Sequence, residues 1–290
     1  MKKTLELDFS NKASNVSINK DVVSKIWGEG LGWSRAEAAA VLKDHDVYVK
    51  NLESVGIQTS TILSKQIASG PDGSFVIRET EQFSGRDASI VLLDATSVTA
   101  LEQLVEDDVS TIAALLLSIP PRDGARYSKE TPWLRVPVDV KPQNVVIDAP
   151  TKTPIVIDTF GPKLWSDGKI KPLPTKFPGK GQVLHDETKV GDVRFSVGRL
   201  NGYFIALATR WFINHHLAAS IDDIDAFRFS IAEITKRIIE KIVTDNPLFN
   251  QDYAKLLVSD ASEDELKSIR YGSYEGPMYV QSLYEAEQSA

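Results

Sequence analysis

Apolar and polar residues alternate with period two over Leu5-Glu6-Leu7-Asp8-Phe9, and residues 16–19 and 22–27 are short β-prone runs separated by Asn- or Asp-containing turns. This pattern predicts a small strand meander. Ser34 then stands where a helix cap belongs. Ala38, Val41, Val47, Val49 and Leu52 follow at roughly helical spacing, so a helix is expected to run to about Gly56. Residues 59–67 and 74–77 flank Gly70-Pro71-Asp72-Gly73, a turn sequence that predicts a hairpin. Past Gly85 the period changes. Leu101, Leu104, Val105, Val109, Ile112, Leu116 and Ile119 form one helical stripe, which Pro120-Pro121 ends. Two β-rich runs, 145–147 and 155–157, read as a second hairpin, and 163–190 as a loop with several prolines and glycines. Asp192 is placed to cap a helix reaching about Leu217. Another helix follows around Phe227, Ile231, Ile234, Ile238 and Ile242, and Ser262 with Glu265 forms a possible capping box before a Tyr-rich tail. The order is a strand-rich part with one helix, a connector near 79–88, and a larger helical part with one hairpin in mid-chain: an α+β chain.

Composition narrows the chemistry. The 290 residues carry 33 basic and 40 acidic side chains, a net charge of −7, with 42% apolar residues. That is a globular composition, and its acidic balance gives no long-range attraction to nucleic acid or to a membrane surface. There is no cysteine, so disulfides, thiolate nucleophiles and cysteine-ligated metals are excluded. The longest apolar stretch, 112–117, is far short of the roughly 20 residues a membrane helix needs, and the first residues lack an apolar signal core, so a cytoplasmic protein is expected. His45, His185, His215 and His216 do not form a ligand set, and the five tryptophans are scattered, although Trp133 and Trp165 flank the mid-chain hairpin.

The specific signal lies on the flanks of that hairpin. Asp139-Val140-Lys141-Pro142-Gln143-Asn144 precedes its first strand, and Asp158-Thr159-Phe160-Gly161 follows its second. Such a cluster is also compatible with an ordinary turn entering a strand. Taken together and in this order, the two motifs resemble the catalytic core of the protein-kinase-like superfamily. There an aspartate, a lysine or histidine two residues on and an asparagine at plus five are followed, after a hairpin, by Asp-Phe-Gly. Here Thr159 is inserted between Asp158 and Phe160-Gly161.

The resemblance implies a bilobal fold, with a strand-rich N-lobe over residues 1–85 and a mostly helical C-lobe over 86–290, and it implies ATP and magnesium as cofactors. Asp139 would orient the acceptor hydroxyl, Lys141 would reach the transferred phosphoryl group, and Asn144 and Asp158 would hold magnesium. A strand lysine that binds the nucleotide phosphates is matched best by Lys25, with Lys20 as competitor. Its helix partner is matched by Glu37, with Asp44 or Asp46 as substitutes; Glu37 is equally a first-turn acid favoured by the helix dipole.

Several features depart from the pattern. The turn between the first strands, Asn11-Lys12-Ala13-Ser14-Asn15, has no glycine to cover the phosphates, whereas Gly28, Gly30 and Gly32 precede the helix, where a dinucleotide or adenosylmethionine site is the rival reading. Pro137-Val138 replaces His-Arg, and no Ala-Pro-Glu follows, as in small-molecule kinases of the aminoglycoside and choline type. Residues 192–198, Asp-Val-Arg-Phe-Ser-Val-Gly, are similar to the Asp-X-Trp-Ser-X-Gly start of a kinase core helix, one residue longer. Lys163, Lys169, Lys171, Lys176 and Lys180 face only Asp167 in composition, which reads as a solvated loop or as a rim for an anionic acceptor. The expected function is transfer of the ATP γ-phosphate to a hydroxyl of a small molecule. A protein Ser/Thr kinase, favoured by Lys141, and a non-catalytic pseudokinase that binds nucleotide or a partner are the alternatives.

Overall fold

Turn chemistry and strand alternation build the first sheet. The computed structural model describes residues 14–19, 21–70, 72–173, 190–216 and 218–258, so the Leu5 to Phe9 alternation, Lys20 and the Ser262/Glu265 box lie outside the described residues. Strands β1 (Ser14–Asn19) and β2 (Val22–Trp27) pair antiparallel, with Val16 opposite Lys25. Gly28, Gly30 and Gly32 follow, all with positive φ. At Gly28 a Cβ would stand 2.3 Å from the Trp33 ring, so only glycine lets the chain turn over that indole.

Helix α1 (Arg35–Ser54) starts with a complete capping box: the Ser34 hydroxyl accepts from the Glu37 backbone N–H, and the Glu37 carboxylate accepts from the Ser34 backbone N–H. Its buried stripe is Ala38, Val41, His45, Tyr48 and Leu52. The 3.6-residue period from Val41 selects His45 and Tyr48, whereas Val47, expected in the core, is 42% exposed. Strand β3 (Gln58–Thr59) follows, then β4 (Ile62–Ser69) and β5 (Phe75–Gln82), the expected hairpin. Its turn places Gly73 at φ 79, with Asp72 accepting from the Ser74 N–H. The sheet order is β1-β2-β5-β4, antiparallel throughout. A dinucleotide-binding unit needs a parallel sheet beside its glycine turn, so the rival reading of Gly28, Gly30 and Gly32 has no scaffold here.

The long helical stripe from Leu101 lies on one helix, preceded by a short one. Asp87 caps a short helix α2 (Ala88–Leu93), and Ser97 caps α3 (Val98–Ser118). After a 3-10 turn over Pro142–Asn144 come β6 (Val145–Ile147) and β7 (Pro154–Val156), which pair antiparallel as expected. Strand β3 adds to β7 in parallel, Gln58 opposite Ile155, so the segment after α1 is part of the mid-chain hairpin's own sheet. A two-strand ribbon, β8 (Trp165–Ser166) and β9 (Lys169–Ile170), stands inside the stretch expected to be a loop. Its turn is Asp167-Gly168, both at positive φ, the dipeptide that two-residue hairpins favour.

Asp192 caps α4 (Val193–His215), and α5 (Ile221–Thr244) follows with its own box at Ser220 and Asp223. Helix α4 runs through the middle of the larger core, where Leu200, Phe204, Ile205 and Trp211 meet α3 residues Leu101, Val105, Ile112 and Leu116. Tyr48, Leu52 and Ile57 belong to this core too. A second cluster holds Trp27, Trp33, Ala38, Val41 and Ile77, with Phe160 packed against it. The protein is therefore a mixed α+β chain with a sheet-rich N-terminal part and a helical C-terminal part. Among the described residues no helix is long and apolar enough to cross a membrane.

Candidate active site

The loop before β6 is built from its own backbone. Pro142 opens the 3-10 turn, its fixed φ and missing N–H suiting that position, and the Asn144 N–H donates to the Lys141 carbonyl at 2.8 Å. Asn144 Nδ2 donates to the Asp139 carbonyl at 3.1 Å, and the Asn144 carbonyl accepts from Ile157 N–H at 2.9 Å. The structure thus brings both motifs to one end of the hairpin. The Asp139 carboxylate is held by a residue absent from the sequence reading: Arg199, buried on α4, whose Nη1 is 3.1 Å from Oδ1. Lys141 Nζ lies 3.8 Å from Oδ2, and both cations lie over the Tyr203 ring, at 5.8 Å for Lys141 and 5.6 Å for Arg199.

Lys25 is buried on β2 and reaches the same place. Its Nζ donates to the Ile157 carbonyl at 2.5 Å, one residue before Asp158, and to Glu81 Oε1 at 2.8 Å. The expected partner, Glu37, is not brought to Lys25: it is spent on the capping box at the exposed start of α1, and its two bonds to Ser34 hold its pKa below the usual carboxyl value. Asp44 pairs instead with Lys171 at 2.6 Å, and Asp46 with Lys65. The sequence did contain a signal for the true partner. Ile77, Glu79 and Glu81 alternate in phase and are all buried on β5, and two acids on an apolar face need cations. Register supplies them, since Lys25 and Lys65 flank Glu79 from either side.

This arrangement separates two roles. Glu37→Ala should lower the melting temperature by removing half of the capping box, and, if Lys25 binds a nucleotide as the resemblance implies, should leave nucleotide-induced stabilisation at the wild-type value. On the same premise Glu81→Gln should weaken nucleotide binding, because Lys25 loses the carboxylate charge that aims it. Thermal shift with and without ATP reads both outcomes.

Burial, then the neighbouring Glu81, pushes Glu79 up to about 8. Burial, then Lys65, pushes His45 down to about 4. The consequences for stability have opposite signs. The unfolded chain gains a histidine proton below about pH 6.5 that the folded protein refuses, so stability falls on acidification. From about pH 4.5 to 8 the folded protein keeps a Glu79 proton that the unfolded chain has lost, so this contribution falls as pH rises; the two effects offset each other between about pH 4.5 and 6.5, and above 6.5 that of Glu79 stands alone. A melting-temperature profile over this upper window should decline in the wild type, and Glu79→Gln should flatten it.

Asp158 is open to solvent on one side and closely surrounded by protein otherwise. That desolvation raises its pKa, against the pull of Lys25 and Lys141. Its neighbour Phe160 stacks on Trp27, ring centroids 4.1 Å apart. Asn144 and Asp158 suit a magnesium ion: both offer hard oxygen, Asn144 has committed its amide nitrogen to the loop and so presents its oxygen, and Asp158 faces the opening. Among the described residues no three His, Cys, Asp or Glu side chains form a metal cluster. Of the lysine loop, Lys163 reaches the Gly161 carbonyl at 3.5 Å and Lys171 is engaged by Asp44, whereas Lys176 and Lys180 lie outside the described residues. Trp133 and Trp165 pack edge to face, with the Arg122 guanidinium over Trp165 at 4.4 Å.

No family model matches the chain, and no curated protein matches it. Among solved structures it is similar to a glucosamine kinase, at 10% identity and a TM-score of 0.42, over 93% of this chain and 74% of that one. It is likewise similar to a glucosamine kinase in complex with glucosamine, ADP and inorganic phosphate, at 11% identity and a TM-score of 0.42, over 93% and 76%. WaaP in complex with acyl carrier protein is similar at 11% identity and a TM-score of 0.34, over 80% and 86%.

Proposed function

We propose that the chain is a protein-kinase-like phosphotransferase that moves the ATP γ-phosphate to a hydroxyl of a small molecule. The observation that supports this most is the meeting of Lys25 with the Asp158 segment, from residues 132 apart in sequence, beside an Asp139–Asn144 loop joined to that segment by the Asn144–Ile157 hydrogen bond. A structural ion pair needs no such company.

In this reading Lys25, steadied by Glu81, binds the nucleotide phosphates, and the lobes proposed over residues 1–85 and 86–290 enclose ATP. Asn144 and Asp158 would hold magnesium, which would screen the charge of the phosphates. Asp139 aligns the acceptor hydroxyl and takes its proton late, as the acceptor oxygen bonds to the γ-phosphorus and the bond to the bridging oxygen breaks, releasing ADP. Lys141 offsets charge on the moving phosphoryl group. Arg199 engages Asp139 Oδ1 and Lys141 stands 3.8 Å from Oδ2, so the two cations fix the direction in which the carboxylate meets the acceptor.

Incubation with magnesium and ATP, with ADP release measured across alcohols, sugars, aminoglycosides, choline and a generic protein substrate, tests the reading. Acceptor-dependent ADP release on small molecules is expected. Transfer to protein alone would replace the acceptor class, and nucleotide binding with no release above the protein-free rate would favour a pseudokinase.

A further inference from the structure

Thr159, the residue inserted between Asp158 and Phe160-Gly161, is not a slack addition. It is buried, and its Oγ1 lies 2.9 Å from His45 Nε2. His45 occupies a position in the buried stripe of α1 where Ala38, Val41 and Leu52 would lead one to expect an apolar side chain. The tautomer follows from its other nitrogen. Lys65 Nζ, a donor only, is 3.0 Å from His45 Nδ1, so Nδ1 accepts, Nε2 carries the hydrogen, and Nε2–H donates to Thr159. Lys65 is itself paired with Asp46, and Glu79 Oε2 stands 3.9 Å from Nδ1. The groups facing the ring from the surrounding elements are thus Lys65 on β4, Asp46 on α1, Glu79 and Glu81 on β5, and Lys25 on β2.

The stretch around Asp158 is fastened at each neighbouring residue. The Ile157 carbonyl is held by Lys25 and its N–H by Asn144, the Thr159 hydroxyl by His45, and the Phe160 ring by Trp27. Asp158 is the exposed residue of this stretch, with Ile157 and Phe160 half-buried and Thr159 buried. We propose that His45 is a positioning residue for the Asp158 carboxylate, acting through Thr159, so that α1 is coupled to the metal site by this hydrogen bond and not by the Glu37 pair expected from sequence. This role presupposes the phosphotransferase reading above. The inserted residue is then what makes the coupling possible, because it supplies a hydroxyl between the carboxylate and the aromatic anchor.

An ordinary core hydrogen bond would affect stability alone, so the test reads metal response. Magnesium is titrated at fixed ATP and the melting temperature followed, and ATP binding without metal is measured separately by calorimetry. Partners that orient a metal ligand typically change metal affinity 10- to 100-fold. Thr159→Val and His45→Gln should each raise the magnesium midpoint by about 10-fold or more, with ATP binding in the absence of metal changed by less than about 2-fold, and Thr159→Ser should restore the midpoint. Should Thr159→Val not fold, His45→Gln and Thr159→Ser carry the comparison. Wild-type magnesium midpoints in both Thr159→Val and His45→Gln overturn the role, and so does an equal loss of metal-free ATP binding, which marks a merely structural contact. Absence of any magnesium response in the wild type overturns the phosphotransferase reading itself.

Discussion

Asp139→Asn is expected to lower turnover by roughly 100-fold or more while magnesium–ATP binding stays near wild type. The substitution keeps the shape of the side chain and removes its charge and one acceptor site. An aspartate is a weak base at neutral pH, so most of its contribution is alignment and electrostatic support of a loose transition state, both of which need the carboxylate. Arg199 sharpens the expectation. With Nη1 at 3.1 Å from Oδ1, it would face a neutral amide in the variant, and the amide's preferred orientation would turn its oxygen to Arg199 and its N–H₂ group toward the acceptor. The oriented oxygen is then lost as well as the charge. Single-turnover kinetics on the acceptor found by the ADP-release screen, beside calorimetry with magnesium–ATP, checks the contrast. Turnover close to wild type would remove Asp139 from the catalytic role.

Asp158→Ala is expected to abolish the magnesium-dependent part of nucleotide stabilisation. A ligand at a hundred times its dissociation constant stabilises a protein by about 2.7 kcal/mol, and about 2–4 °C per kcal/mol is usual for larger domains, so several degrees are at stake. The ligand-free variant should melt close to wild type, because Asp158 is exposed and its truncation opens no cavity in the core. Loss of ligand response without loss of intrinsic stability is the mark of a side chain kept for binding. A magnesium-dependent shift that survives the substitution would move the metal site elsewhere.

What could be read beforehand was local. Helix caps at Ser34 and Asp192, the turn before β5 and the two strands of the mid-chain hairpin are written in residues within a few positions of one another, and the structure places them as expected. The motif flanks were legible because each is short and contiguous. Glu81 was not, since its pairing with Lys25 depends on strand register across 56 residues. Arg199 was hidden because a polar residue on an apolar helix has no sequence pattern that reveals which loop it meets. Glu37 stayed open between two readings for a related reason: an acid in the first helical turn satisfies the cap and the family pattern equally, and only the side chain's direction separates them. The Asp167-Gly168 turn had its signal, but strands of two residues are too short to show alternation.

The long sequence spans of the site contacts also bear on how the protein folds. Lys25 to Ile157 spans 132 residues and His45 to Thr159 spans 114, and parallel pairing of β3 with β7 joins Gln58 to Ile155, a somewhat shorter span. Closing loops of this size costs chain entropy before any contact returns it, so these ties form after the local helices and hairpins. In the phosphotransferase reading, the proposed nucleotide site is then a product of the final folding steps. Magnesium–ATP added during refolding should leave the folding rate unchanged and slow unfolding, as a ligand does when it recognises only the finished molecule.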